Sequence, residues 1–382
     1  MRYVDDALLD DPRALEDADP GGLLRAAAES GAQVRRALAA IGSDALDRVV
    51  ADGRPRSVLV AGNGTAAIAG DLLAAVCGPG CPVPVTVTRE AMLPGWVGPL
   101  DLVVALAPDG RARATTEIAG EALRRGARVV AVAPAGSPLH ELVAGSSSSA
   151  AVPLDTRGLP ARALLWLMTT PLLVLADALG LAAVPRGVLD RAADVLDECA
   201  VECGPAAPAA ENPAKLLGAS LAASLPAVWG ASALTEVAAQ RMAARLAADA
   251  HLPAVHGCLP EVAHAQVAIV DGPVAAASDD DIFRDPVEDG TAPPRLRVVL
   301  LREPGESDSS ARLADAVRTL AESRGVAVET VQALDGHPVV RLASLVAVLD
   351  WAAVYAAVAL GVDPSTTRED AEALADLAGG GA

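Results

Sequence analysis

The chain has 382 residues, of which 52% are hydrophobic and 21% charged, so it can form two domains with a large buried core. Its 49 acidic residues outnumber 30 basic ones, and the formal net charge of −19 argues against nucleic acid or an anionic membrane surface as a partner. The acidic N-terminus lacks the apolar core of a signal peptide, and the five cysteines do not have typical zinc spacing, so we expect a cytoplasmic protein with reduced thiols, no metal and no cofactor.

Short apolar segments alternate with helical ones after an acidic N-terminal arm, residues 1–20, which we expect to be exposed. This alternation predicts an α/β fold with a doubly wound parallel sheet in a first domain, residues 21–185. The most apolar run, residues 163–176, is shorter than the roughly 18–20 residues of a membrane span and predicts a buried core helix. The predicted strands are 57–61, 83–88, 101–107, 128–133 and 151–154.

The second half repeats this plan, which predicts a second sheet domain over residues 186–382. Its acidic, Pro-rich stretch 274–294 predicts a loop. Residues 342–360 predict a long helix, and the tail beyond them is predicted to be helical. The predicted strands of this domain are 227–229, 267–270, 296–301 and 327–332.

The stretch from Ala227 to Gln266 resembles a known family. The segments RMAARLAADAHLPA and LPEVAHAQ overlay the pattern R-W-K-x-x-L-N-E-N-A-K-x-P-A … P-E-L-N-H-N-E, which is typical of bifunctional phosphoglucose/phosphomannose isomerases. That family is built from two tandem SIS (sugar isomerase) domains. Further matches are N-P-A-K at 212–215, Asp350-Trp351 with Tyr355, and G-V-D-P at 361–364. The resemblance implies the SIS fold over nearly the whole chain.

The resemblance also assigns catalytic positions. Sugar-phosphate isomerisation needs a carboxylate that moves a proton between C1 and C2 and a group that opens the ring. The family's catalytic Glu falls on Ala248, whereas its ring-opening His is present as His264. Asp249, next to the vacant position, is the candidate replacement for the base.

Two loops and one arginine are candidates for holding the phosphate, because backbone N–H groups at a helix N-terminus bind anions. The first loop follows a predicted strand and resembles the family's G-x-G-G-S-G-I-x-G-D. In the second loop, only the Gly and the last Thr of the family's S-x-S-G-N-T-E-E-T remain. Asp109 places a carboxylate where the family binds the phosphate. The candidate residues are Gly62, Asn63, Gly64, Thr65, Asp109, Gly110, Arg111 and, displaced by one position from the family's Arg, Arg162.

Three functions remain open from the sequence. The first is a non-catalytic SIS protein that binds a sugar phosphate or regulates a partner. The second is an active isomerase that interconverts glucose 6-phosphate or mannose 6-phosphate with fructose 6-phosphate. The third is nicotinamide binding, because Gly62-x-Gly64-x-x-Ala67 follows a strand and Glu90 ends the next one. The resemblance further implies a homodimer with sites built across its interface.

Overall fold

The computed structural model describes residues 6–41, 46–275 and 294–365. Most of the predicted acidic loop, 276–293, and the tail from 366 onward lie outside the described residues. The described chain divides into two compact units. Unit I comprises residues 29–197, and unit II comprises residues 6–28 together with 198–365.

Unit I contains a five-stranded parallel sheet, and all five strands predicted for the first domain are present. Its strands are β1 (Val58–Ala61), β2 (Val85–Thr88), β3 (Leu102–Leu106), β4 (Arg128–Ala133) and β5 (Ala150–Pro153). Its helices are α3 (Ser30–Ala40), α4 (Asp47–Ala51), α5 (Thr65–Cys77), α6 (Arg113–Arg124), α7 (Pro138–Ala144), α8 (Leu165–Ala178) and α9 (Arg186–Glu202), which crosses into unit II.

The strand order β2-β1-β3-β4-β5 makes the sheet doubly wound. α5 and α8 pack together, while α6 and α7 contribute Ile118 and Leu139 to the core against β3 and β4. β1, β3 and β4 are buried along their whole length, as expected for strands covered by helices on both sides. α8 begins two residues later than the predicted core helix and is buried over most of its length, which confirms that prediction.

Unit II contains a four-stranded parallel sheet in the order β7-β6-β8-β9. Its strands are β6 (Ser224–Gly230), β7 (Val255–Cys258), β8 (Arg295–Arg302) and β9 (Ala327–Gln332). Its helices are α1 (Pro12–Ala18), α2 (Leu23–Ala28), α10 (Pro213–Ala222), α11 (Ala233–Asp249), α12 (Glu261–Ala265), α13 (Asp308–Ser323) and α14 (Pro338–Ala359).

Two local predictions for unit II were wrong. The predicted strand 267–270 is a 3₁₀ helix, Val267–Asp271, and β7 was not predicted. β7 pairs with a single strand, β6, and its residues are exposed or half-buried, so it lacks the apolar run that marks a buried strand.

The described part of the N-terminal segment, residues 6–20, is folded and partly buried. Residues 6–10 form a 3₁₀ helix and α1 follows, capped by Asp11. Leu9 and Leu15 are buried, and the segment packs with α14 in unit II. The boundaries of the compact units at 28/29 and 197/198 therefore differ from the predicted ones at 20/21 and 185/186. Asp10, Asp11, Glu16 and Asp17 are exposed, whereas Asp19 is buried with the leucines.

The motif residues matched to the family are held in the core of unit II, where α14 packs against α10 and α11. Arg241 forms a bidentate pair with Asp350, at 2.8 and 2.6 Å. Lys215, the only lysine, donates to two backbone carbonyls and lies 5.7 Å from the centroid of the Tyr355 ring. The Tyr355 hydroxyl donates to the carbonyl of Cys203 at 2.6 Å. These matches therefore stabilise the scaffold.

α14 is long and apolar enough to cross a membrane by length and composition. In this structure, 94% of its most apolar window is buried inside the protein. The core helix of a folded domain has this same composition, because it is covered by protein on all sides.

Gly218 allows α10 and α14 to approach each other closely. A Cβ at this position would lie 2.8 Å from both the Ala352 carbonyl oxygen and the Tyr355 Cβ. We expect Gly218→Ala to lower the free energy of unfolding by about 1–3 kcal/mol through overpacking.

Gly187→Ala in α9 is the matched control, because a Cβ there meets nothing within 4 Å. The same substitution should raise stability by roughly 0.5 kcal/mol through the helix preference of alanine. Urea unfolding followed by circular dichroism measures both variants. Equal effects of the two substitutions would contradict the close approach.

Candidate functional site

Unit I places its candidate phosphate loops side by side. Strand order reverses between β1 and β3, and loops 62–64 and 107–112 follow the carboxyl ends of these two neighbouring strands. A Cβ added to Gly62 would lie 3.4 Å from the carbonyl oxygen of Leu106, so the first loop begins beside the last residue of β3. Such a reversal opens a crevice at the carboxyl edge, where ligands of open α/β sheets bind.

The first loop leads directly into α5. Gly64 is the N-cap, and its φ of +56° is the left-handed region that glycine adopts at no steric cost. Thr65 is the first helical residue, and Asn63 is exposed. No side chain caps this helix, because glycine has no side-chain acceptor. The N–H of Ala66 donates to the carbonyl of Asn63 at 3.1 Å, and the other N–H groups of the first turn are left for a ligand or for water.

The second loop has a comparable helix start but carries an acid. The N-cap of α6 is Ala112, which also lacks an acceptor. Gly110 turns the chain with a φ of +70°. One carboxylate oxygen of Asp109 accepts from the backbone N–H of Arg111 at 3.0 Å. Asp109 therefore occupies one of the loop N–H donors that an anionic ligand would use.

Arg162 lies in the 3₁₀ turn Ala161–Ala163, which contacts α5. It is half-buried and precedes α8. The structure thus places Arg162 beside the helix that carries the first loop.

In the equivalent crevice of unit II, side chains of the protein occupy the hydrogen-bond donors. Strand order reverses between β6 and β8, and the Ser232 hydroxyl, at the N-cap of α11, donates to Glu303 at the end of β8. Glu303 is 5% exposed and also lies 3.5 Å from the Arg341 guanidinium. Its own N–H donates to Glu306 at 2.9 Å. Carboxylates of the chain take the donors of this edge, so it does not resemble an anion site.

A thiol near this edge is not activated. Burial, with Glu236 adding to it, raises the pKa of the Cys258 thiol to about 12. A thiol with that pKa is protonated at neutral pH and is a poor nucleophile.

The comparisons with known proteins follow this geometry. Residues 210–369 match the family described as "Bacterial phospho-glucose isomerase C-terminal SIS domain". A bifunctional phosphoglucose/phosphomannose isomerase of Caldicellulosiruptor bescii is 25% identical over 317 residues, which cover 82% of this chain and 86% of the relative. Both comparisons support the family that the sequence resembles, the SIS-domain phosphoglucose/phosphomannose isomerases.

Solved structures show the same fold. A glucose-6-phosphate isomerase like protein from Thermus thermophilus has a TM-score of 0.56 at 22% identity, with 95% of both chains covered. Tagatose-6-phosphate ketose/aldose isomerase from Escherichia coli has a TM-score of 0.63 at 13% identity, covering 90% of this chain and 92% of that one. Both SIS domains predicted from the sequence are therefore present.

Within this SIS scaffold, Asp249 is not placed as a replacement base. It is fully buried and forms an ion pair with Arg245 at 2.8 Å, itself 4% exposed. Ala247 and Ala248, by contrast, are exposed on α11. One residue of helix rotates a side chain by about 100°, so Asp249 points away from the face on which the family's Glu would stand.

His264 is exposed on α12, which follows β7 at the carboxyl edge of the unit II sheet. Asp249 ends α11, which starts at that edge and extends about 24 Å before it stops. The two candidate catalytic residues thus lie at opposite edges of one sheet, and unit II does not bring them together.

Sequence reasoning missed the residues that anchor the His264 segment. Gln266 accepts from the indole N–H of Trp229 at 2.8 Å and donates to the His256 carbonyl at 2.8 Å. Among the described residues there is no group of three or more His, Cys, Asp or Glu side chains that could hold a metal ion.

Asp249→Asn should act on stability. Removing the carboxylate charge breaks the buried ion pair with Arg245, and such changes cost about 3–5 kcal/mol of unfolding free energy. Urea unfolding should show this loss.

Glu117→Gln breaks the exposed Arg113–Glu117 pair on α6 and serves as the control, with an expected cost below about 1 kcal/mol. A stable Asp249→Asn protein with altered sugar-phosphate chemistry would instead support a catalytic Asp249.

Proposed function

We propose that the protein binds a sugar phosphate at the carboxyl edge of the unit I sheet, has lost most or all isomerase activity, and acts as a sensing or partner protein in sugar-phosphate metabolism. The observation that carries the proposal is the pair of helix starts, Gly64–Thr65 and Ala112–Arg113, which flank the strand reversal without capping side chains. Partial positive charge at both helix starts favours a phosphate between them.

Arg111 supports the same assignment. It is exposed in the second loop, next to the first turn of α6. A guanidinium can bind two phosphate oxygens at once and would compensate for the acid of Asp109. The glycine backbone of the first loop lets the phosphate approach closely.

The loss of catalysis is supported by three features of unit II. Ala248 has no group that can accept a proton. Asp249 is buried in an ion pair with Arg245. The family resemblance implies a lysine near the C-terminus, but Lys215, the only lysine in the chain, is 1% exposed and held by backbone carbonyls. Loss of a general base alone costs a factor of about 10²–10⁴ in rate.

A homodimer in the cytoplasm is part of the proposal. Within unit II, His264 and the Ala248 position lie at opposite sheet edges, so a site that used both would require a second copy of the chain. The family resemblance also suggests sites across a dimer interface. Light scattering coupled to gel filtration, giving twice the mass of 38.4 kDa, measures this state.

Active isomerisation is the second candidate function. His264 is exposed, and the Caldicellulosiruptor bescii relative is named as a bifunctional isomerase. Turnover of glucose 6-phosphate or mannose 6-phosphate to fructose 6-phosphate would then be observed.

Binding without turnover is the expected result for the purified protein. Calorimetry should detect the binding of glucose 6-phosphate, mannose 6-phosphate or fructose 6-phosphate. Arg111→Gln should weaken that binding about tenfold, because one charge-assisted contact is lost. NADH serves as the control ligand and should give no signal.

Proton NMR of the same mixtures should show no interconversion. Turnover at an ordinary enzymatic rate of about 1–10³ s⁻¹ would establish the isomerase instead. Absence of both heat and turnover across the panel would remove the sugar-phosphate assignment.

Asp109→Asn should tighten sugar-phosphate binding by about tenfold. The substitution removes the negative charge that repels a phosphate dianion, while the amide oxygen that replaces the carboxylate can still accept from the N–H of Arg111. Calorimetry at low ionic strength measures the change, which should shrink in high salt.

Asp190→Asn makes the same change in charge on the exposed face of α9 and should leave the affinity unchanged. Weaker binding by Asp109→Asn than by the wild type would place the ligand elsewhere.

A further inference from the structure

A cleft of about 440 Å³ lies at the opposite, amino edge of the unit I sheet. Arg54, Arg56 and Arg128 line it, together with Asp52 and the exposed Leu100. Arg56 precedes β1 and Arg128 begins β4, so the cleft is separated from the phosphate loops by the length of the strands. Three arginines around one cleft are a marked local excess in a chain with a net charge of −19.

Two of these arginines are held by neutral groups. Arg128 is 6% exposed, and its Nη1 donates to the carbonyls of Val49 at 2.5 Å and Gly53 at 2.8 Å. Arg54 donates to the carbonyls of Leu179 and Gly180 at 3.4 and 3.3 Å. Carbonyl oxygens fix the orientation of a guanidinium but do not neutralise its charge.

The carboxylates near the cleft do not balance all of this charge. Asp101 is fully buried and forms a bidentate pair with Arg56, at 3.0 and 2.6 Å. Asp52 is exposed at the rim. Among the described carboxylates, none forms an ion pair with Arg54 or Arg128. A buried charge without a counter-ion is costly, and a bound anion would relieve that cost.

The donors suit a tetrahedral oxyanion. A guanidinium has five N–H donors in a planar fork, and the bonds to Val49 and Gly53 use only Nη1 of Arg128. In the same way, Arg54 uses Nε and Nη2. The remaining N–H groups can bind phosphate oxygens in pairs. Because backbone carbonyls hold the side chains in place, a ligand would order them at little entropic cost.

We propose that this arginine cleft is a second anion site, which binds a phosphate group either as inorganic phosphate or as a phosphate monoester. It is independent of the sugar-phosphate site proposed at the carboxyl edge.

Inorganic phosphate is the first probe, and its titration is followed through the thermal unfolding midpoint at fixed ionic strength. A ligand that binds only the folded state raises this midpoint. We expect a saturable rise with the wild type, about tenfold weaker affinity with Arg54→Gln, and an intermediate affinity with Arg54→Lys, which keeps the charge but not the fork. Arg54 is exposed and its two bonds are long, so these variants should fold.

Arg48→Gln, the same charge change at an exposed position of α4, is the matched control and should leave the phosphate effect intact. Arg111→Gln separates the two anion sites, and the part of the phosphate effect that depends on Arg54 should persist in this variant. Titration of glycerol 3-phosphate into the Arg111→Gln protein distinguishes a phosphate monoester from inorganic phosphate as the ligand. If glycerol 3-phosphate binds more tightly than inorganic phosphate, the ligand is a monoester.

Equal phosphate affinity in Arg54→Gln and Arg48→Gln would overturn the proposal. So would an equal midpoint rise with sodium chloride at the same ionic strength, or loss of the rise in Arg111→Gln. If sugar phosphates fail to bind while Arg54→Gln still weakens phosphate binding, only the proposal for the carboxyl edge fails and the arginine cleft is retained.

Discussion

The reversal of strand order beside the first strand of each sheet determines where backbone N–H groups converge. Both units have this reversal, so each offers the same polar crevice at its carboxyl edge. What differs is the group that occupies it. In unit II, Glu303 and the caps of α11 and α13 satisfy the donors within the chain. In unit I, Asp109 takes a single loop N–H, and two helix starts remain without capping side chains. This difference favours unit I for ligand binding.

The motif residues matched to the family serve mainly the scaffold, and their burial gives the physical reason. Arg241 and Asp350 are buried partners, so replacing either would leave an unbalanced charge in the core. Lys215 is similarly fixed above the Tyr355 ring. Ala248, by contrast, is exposed, and exchange of an exposed side chain usually changes stability by less than about 0.5 kcal/mol. A chain can therefore keep the fold of an isomerase while its proton-transfer position changes.

The sequence predicted the elements whose hydrophobic pattern is decisive and missed those set by tertiary contacts. Strands β1, β3 and β4 of unit I contain continuous apolar runs. By contrast, β7 is a short edge strand with exposed residues, and residues 267–271 form a 3₁₀ turn despite their apolar run. At the phosphate loops, glycine spacing indicated the helix starts, yet the bond from the Arg111 N–H to Asp109 requires coordinates. The burial of Asp249 had a sequence signal, since Arg241, Arg245 and Asp249 repeat every four residues on one helix face.

A net charge of −19 is compatible with an anionic ligand, because charge acts over a limited distance. At physiological ionic strength the screening length is about 8 Å, so distant surface carboxylates contribute little within a cleft. A polyanion such as nucleic acid contacts a broad surface and experiences the overall charge, whereas a single phosphate experiences the few groups that touch it. Helix starts in one crevice and carbonyl-held arginines in the other are such groups. Overall charge thus argues against large anionic partners and leaves the selection of small ones to local geometry.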